Sequence, residues 1–273
     1  MDTSAEAYRN LQFASIEAIR SCTCIVMLDK SSYSYKAHGT GVFIQIQNHY
    51  FLVSAAHVMD KHGEFFIFLS QEKEIIYPGG DTYINRTENR EKDELDIAVL
   101  RLDDECLPHI KRSYSFVQAE DLAINHIFQP WEYYAFLGFP ASKTKVKYKT
   151  DIFCITTLFH FTAPIGAEHY EQLGRNPYVN VIATYNKKHV YNGSKGTYGT
   201  GPDLYGISGC GLWFTDPEDM STGIIKPKLT AIMTDWFAKN KNIIIGTRID
   251  VVTGMIKKFL DIDFPDSSIV MVN

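Results

Sequence analysis

Short apolar runs separated by polar turns recur along most of the chain, and helical spacing is confined to its two ends. In residues 4–20, Leu11, Phe13, Ile16 and Ile19 fall at helical spacing, which predicts a short amphipathic helix with Ser4 as its cap. Residues 22–28 are β-branched and apolar and predict a first strand, whereas the Ser- and Tyr-rich segment 30–38 reads as a loop. Residues 40–47 and 50–54 predict a hairpin turned at Asn48-His49, with Ala55-Ala56-His57-Val58 opening a helical turn at its far end. Further strands are predicted over 65–69 and 74–77, followed by a turn at Pro78-Gly79-Gly80-Asp81. The strand 95–102 emerges from a charge-dense loop at 87–94.

A crossing segment is predicted over 116–128. Beyond it, strands are predicted at 133–138, 145–149, 153–161, 179–185, 211–214, 229–235 and 243–249. Residues 192–201 hold four glycines and read as a flexible loop. Asp250 is placed to cap a final helix over 251–260. Many short strands with helices only at the ends indicate an all-β barrel or sandwich. The length of 273 residues suits one large or two small domains.

One stretch carries chemistry. In Gly206-Ile207-Ser208-Gly209-Cys210-Gly211 a serine sits among glycines, ahead of the strand-like Leu212-Trp213-Phe214. Glycine lets the backbone bend tightly and lets a ligand come close. A nucleophilic serine needs both, together with backbone N–H groups aimed at the oxyanion it creates. Such a serine also needs a base, itself oriented by a third group. Upstream, His57 ends the apolar run Phe51-Leu52-Val53-Ser54-Ala55-Ala56, and Asp96 opens the run Ile97-Ala98-Val99-Leu100. Alone, Ser208 would be a turn serine, His57 a buried histidine and Asp96 a strand-start acid. Asp93 is the nearest rival to Asp96. The chain order His, Asp, Ser is that of chymotrypsin-type enzymes.

These blocks resemble the trypsin/chymotrypsin-like serine peptidases, nearest to short bacterial forms such as the Deg/HtrA catalytic domain. Thr40-Gly41-Val42-Phe43-Ile44 with Ser54-Ala55-Ala56-His57 resembles the "GSG … TAAH" block, Asp96-Ile97-Ala98-Val99-Leu100 the "DIAVL" block, and residues 206–212 the "GxSGGPL" block. Departures are Cys210 at the second glycine, Gly211 at the proline and Ile207 at the aspartate that trypsin-type enzymes pair with a freed N-terminus. No activation by that route is implied. The resemblance spans roughly residues 20–260. It implies two chymotrypsin-like β-barrels, with an N-terminal helix and first barrel over 1–125 and a second barrel plus C-terminal helix over 126–273.

The resemblance also implies roles. Ser208 is the nucleophile, His57 the general base and then acid, and Asp96 the group that fixes the imidazole. The backbone N–H groups of Gly206 and Ser208 form the oxyanion hole. Asp203 falls at the base of the pocket for the residue before the scissile bond, and Thr234 and Asp235 form an edge for the substrate backbone. Asp203 and Asp235 favour a basic side chain there, while a bulky Ile244 favours a small aliphatic one; both options stand. The leading expectation is a serine endopeptidase acting on protein or peptide substrates through an acyl-enzyme. A Deg-type enzyme normally carries a peptide-binding module after this domain. Without one, control by an activating protein partner or by oligomerisation is expected, acting on the loop 193–201. The alternatives are a catalytically silent binding module of this fold and an esterase using the same triad.

Composition narrows the setting. The net charge of −5 disfavours a broad nucleic-acid-binding surface. The cysteines at 22, 24, 106, 154 and 210 are odd in number and show no disulfide framework, which indicates reduced thiols. Residues 1–6 show no secretory signal and no 18-residue apolar run exists, so a cytoplasmic protein without membrane contact is expected, and the resemblance to short bacterial peptidases implies a bacterial one. Asn85-Arg-Thr87 and Asn192-Gly-Ser194 are read as chance sequons, and Cys210 as a small buried residue. No metal-ligand spacing or phosphate loop is present, so no cofactor or metal is expected.

Overall fold

A computed structural model describes residues 3–31, 34–69, 74–85, 87, 89–129, 131–147, 152–192, 197–216, 226–236 and 242–269. The described chain is mostly strand, folded into a nine-stranded sheet, a six-stranded sheet and a small two-stranded ribbon. Helix α1 (Thr3–Ser21) leads into β1 (Thr23–Ser31), β2 (Ser34–Ile46) and β3 (His49–Ala55), and β3 runs directly into the single turn α2 (Ala56–Met59). Then come β4 (Phe65–Leu69), β5 (Glu74–Ile76), β6 (Gly80–Ile84), β7 (Ile97–Leu102) and α3 (Leu107–Ser113). These strands pair in the order β5-β4-β1-β2-β3-β7-β6.

The second sheet takes the order β11-β8-β15-β16-β17-β12. Its strands are β8 (Tyr133–Gly138), β11 (Leu158–Thr162), β12 (Asn180–Thr184), β15 (Gly211–Thr215), β16 (Lys228–Trp236) and β17 (Ile243–Arg248). The C-terminal helix α4 (Ile249–Leu260) closes the fold. The two curled sheets are two chymotrypsin-like half-barrels with a helix at either end.

Successive side chains on a strand point to opposite faces, and here both faces of the central strands are covered. On β2, Val42, Ile44 and Ile46 join a core shared by the two sheets, while Phe43 packs inside the first barrel. On β3, Phe51 and Val53 face that shared core and Leu52 the barrel interior; on β7, Ile97 and Val99 divide from Ala98 and Leu100 in the same way. The second sheet answers with Leu137, Trp213, Leu229 and Ile232, and α4 adds Val252 and Ile256. Burial on both faces explains why these strands read as continuous apolar runs. Each fully buried side chain of this size contributes about 1.5–3 kcal/mol.

Several elements differ from expectation. Residues 34–38 are strand rather than loop, because Tyr35 pairs with Asp29 on β1 and with Val146 on β9 (Thr144–Lys147). Neighbouring strands thus override a polar composition. β9 pairs with β10 (Ile152–Ile155), and through β2 this hairpin extends the first sheet although it follows β8 in the chain. Gly80, expected in a turn, opens β6, and α3, with Pro108 near its start, is an element that the sequence pattern does not predict. That proline sits in the first turn, where proline is tolerated. Asp250 does not cap α4: Arg248 holds the cap position, and Asp250 is buried in the first turn, accepting the Asn125 N–H at 2.8 Å. Part of the glycine-rich loop forms β13 (Val190–Asn192) and β14 (Thr197–Gly199), while residues 193–196 lie outside the described residues.

Candidate active site

β3 and β7 are antiparallel neighbours in register from Ala55↔Ile97 to Phe51↔Arg101. The residue after β3 and the residue before β7 therefore meet at one end of the sheet. His57 Nδ1 lies 2.7 Å from Asp96 Oδ2, and the His57 backbone N–H donates to Asp96 Oδ1 at 3.0 Å. The Ala56 N–H donates to the Asp96 carbonyl at 2.8 Å. Asp96 adopts a left-handed φ of +39°, a conformation aspartate tolerates better than most residues. Its loop is anchored from the second sheet: Asn180 Nδ2 donates to the Glu94 carbonyl at 2.9 Å, and Thr247 Oγ1 donates to the Leu95 carbonyl. Asp93 is committed elsewhere. It accepts from Arg90 Nη1 at 2.5 Å and from the Leu95 N–H at 3.1 Å, while Arg90 also grips Asp60.

Burial pulls the His57 imidazole down, but the hydrogen bond and charge of Asp96, with the charges of Asp235 and Asp60, outweigh it and hold His57 above its ordinary value of 6.5. His38, unremarked in the sequence, lines the same cleft. Burial and then the His57 charge push it below the ordinary histidine range, and its Nε2 has no hydrogen bond among the described residues.

Ser208 stands in a tight loop between the second sheet's strands and β2. Its carbonyl accepts the Thr40 N–H at 2.8 Å, and the Gly209 N–H donates to the Met233 carbonyl at 2.7 Å. Gly209 has φ +92°, and a Cβ there would lie 2.0 Å from the Thr40 carbonyl oxygen and 2.1 Å from Ser54 Oγ, so only glycine fits. Gly206 has φ +91°, and a Cβ there would lie 2.8 Å from the Phe139 carbonyl oxygen. Thr40 Oγ1 donates to the Gly206 carbonyl at 3.0 Å and accepts from the Phe139 N–H at 3.3 Å. Thr40 therefore clasps the serine loop through both backbone and side chain. In the sequence it signalled only as part of a motif.

The direction of two peptides follows from these bonds. In a trans peptide the C=O and N–H point opposite ways. The Tyr205 carbonyl accepts from the Ala141 N–H at 2.7 Å, and the Ile207 carbonyl accepts from the Cys210 N–H at 2.9 Å. The N–H groups of Gly206 and Ser208 are turned away from those partners. Among the described residues neither has an acceptor.

Ser208, Gly206 and His57 line one cleft of about 340 Å³. The second barrel contributes Leu204, Tyr205, Thr234, Asp235 and Trp236 to it; the first contributes Lys36 and His38. No hydrogen bond joins Ser208 Oγ to the imidazole among the described residues, and such contacts commonly tighten only with substrate bound. Asp203, expected at the base of the substrate pocket, is not among the lining residues; its carboxylate lies 2.6 Å from Lys187 Nζ. Asp235 does line the cleft, and its Oδ2 is 3.3 Å from Arg175 Nη2. Cys210 is fully buried, the small buried residue expected at that position, and burial pushes its thiol far up. All five cysteines are unbridged.

This is the fold of the trypsin-like serine proteases. Mouse neuropsin, a serine protease expressed in the limbic system of the brain, superposes with a TM-score of 0.54 over 88% of this chain and 95% of its own, at 17% identity. The scabies mite inactivated protease paralogue S-D1 superposes with a TM-score of 0.55 over 91% of this chain and 96% of its own, at 11% identity. No protein-family model matches the chain, and no curated protein matches it in sequence. No described helix is long and apolar enough to cross a membrane.

Proposed function

We propose that this protein is a serine endopeptidase that cleaves peptide bonds through an acyl-enzyme. Ser208 Oγ attacks the substrate carbonyl while His57 takes its proton. His57 then returns the proton to the leaving amine, and water repeats the cycle to release the acid. Asp96 holds the Nδ1–H of His57 and balances the charge of the imidazolium. The N–H groups of Gly206 and Ser208 receive the oxyanion, each such donor being worth roughly 2.7–4 kcal/mol in the transition state.

The observation that carries this reading is the convergence of His57, hydrogen-bonded to Asp96 at 2.7 Å, with Ser208 and two acceptor-free N–H groups in one cleft. The fold by itself does not decide activity, since one structural neighbour is an inactivated paralogue. What favours activity is that each role keeps a competent residue. The bonds from Ala141 and Cys210, which turn the two N–H groups, also support a formed oxyanion hole.

The test is labelling of the purified chain by a fluorophosphonate, beside Ser208→Ala. Labelling of the wild type alone is expected. No labelling of a folded wild-type chain would leave a silent binding module, and labelling with turnover of esters but not of peptides would make it an esterase.

A further inference from the structure

Both acids that the sequence offered for binding a basic substrate side chain are already engaged. Asp203 lies outside the cleft and holds Lys187 at 2.6 Å, and Asp235 faces Arg175 at 3.3 Å. The space behind the cleft is also filled. Leu204, only 1% exposed, shares an apolar cluster with Tyr185, Val190, Met233 and Ile244. Tyr185 donates its hydroxyl to the Pro202 carbonyl at 2.7 Å. A Cβ on Gly201 would lie 2.4 Å from the Tyr185 hydroxyl oxygen and 2.5 Å from Val190 Cγ2.

At the mouth, Tyr205 and Trp236 meet edge to face with ring centroids 5.5 Å apart. These residues adjoin the two segments that a bound peptide must follow. Tyr205 precedes the Gly206 N–H, and Trp236 ends the β16 edge that begins at Thr234. The site beside the attacked carbonyl is thus a shallow shelf with a leucine floor and an aromatic rim.

We propose that the residue whose carbonyl Ser208 attacks carries an uncharged apolar side chain, seated on Leu204 against the Tyr205–Trp236 pair. The proposal rests on Ser208 being the nucleophile. A lysine or arginine there would lose water without gaining an unpaired carboxylate, which is unfavourable. An acidic side chain would likewise lose water on entering an apolar shelf. An apolar side chain removes its surface and part of both rings from water.

The test is the inactivation rate of the full chain by peptidyl diphenyl phosphonates that differ only in the side chain next to phosphorus, beside a plain fluorophosphonate lacking any side chain. Valine, leucine and methionine analogues are expected to react at least about tenfold faster than lysine, arginine, aspartate and glutamate analogues, the range a hydrophobic pocket supplies. Trp236→Ala should flatten this preference and Trp236→Phe should retain it, with circular dichroism reporting that both fold. Fastest reaction with a basic analogue, or reaction with the plain probe but no discrimination among the peptides, overturns the apolar shelf and leaves the nucleophile standing. Failure of the plain probe as well overturns both. A preference unmoved by Trp236→Ala removes Trp236 from the shelf and overturns the rim.

Discussion

His57 and Asp96 stand at the ends of neighbouring strands of one sheet, whereas Ser208 stands in a loop between strands, held by bonds that come from elsewhere. The first pair is a product of strand register. Once Ala55 lies opposite Ile97, the imidazole and carboxylate are within reach, and bonds from Asn180 and Thr247 to the preceding loop hold Asp96 in place for their 2.7 Å contact. The serine loop has no such template. Its peptides are aimed by Thr40 from the first sheet, by Ala141 from the turn after β8, and by Met233 from β16. The His57–Asp96 pair therefore rests on strand pairing, with Asn180 and Thr247 of the second sheet holding the loop before Asp96, whereas the serine loop rests on individual hydrogen bonds to Thr40, Ala141 and Met233.

That contrast can be broken from either side. The largest effect after loss of Ser208 itself is expected for Asp96→Asn, which keeps the β3–β7 register but presents the wrong donor to His57. Turnover should fall by about 10⁴-fold with the melting temperature little changed. A fall of less than tenfold would show that another acid serves His57.

Thr40→Val is the matching cut on the other half. It keeps the volume but removes the hydroxyl between Gly206 and Phe139, leaving the Gly206 carbonyl without that partner, a loss of about 1–3 kcal/mol. If the clasp aims the Gly206 N–H, kcat should drop by roughly tenfold or more with KM nearly constant, because the oxyanion exists only in the transition state. A change in stability alone, with kcat intact, would reduce Thr40 to a packing residue.

The smallest effect is a shift in pH dependence. In the proposed mechanism His57 must be neutral to accept the Ser208 proton, so activity should rise with pH, with its midpoint above 6.5 because His57 is raised in the folded chain. In Asp96→Asn, burial remains while the hydrogen bond and charge that raise His57 are gone, so the midpoint of the residual activity should move down. The same linkage has a stability side. The charged His57–Asp96 pair stabilises fully below pH 6.5 and loses that contribution as pH rises through the raised value. A midpoint at or below 6.5 in the wild type would contradict the pairing.

Apolar runs, glycine punctuation and three short motifs determined the strand-rich class and the placement of the central strands, and singled out His57, Asp96 and Ser208 as candidates. The reason is that strand alternation and a nucleophile's need for glycine are local, and local rules leave local marks. Asp93 and Asp96 were harder to separate by sequence, since both precede the same strand; only the tertiary structure directs one to Arg90 and the other to His57. Asp203 offered the same ambiguity, because a carboxylate looks free until Lys187 is brought beside it from 16 residues away. Segment 34–38 looked like a loop because its partners, β1 and β9, lie on either side of it in space and β9 lies far along the chain. Thr40 signalled only as part of a motif, and the Tyr205–Trp236 pairing not at all, for the same reason. Their function lies in contacts across 166 residues for Thr40 and between separate strands and loops for the aromatic pair, and distance along a chain carries no record of which residues folding brings together.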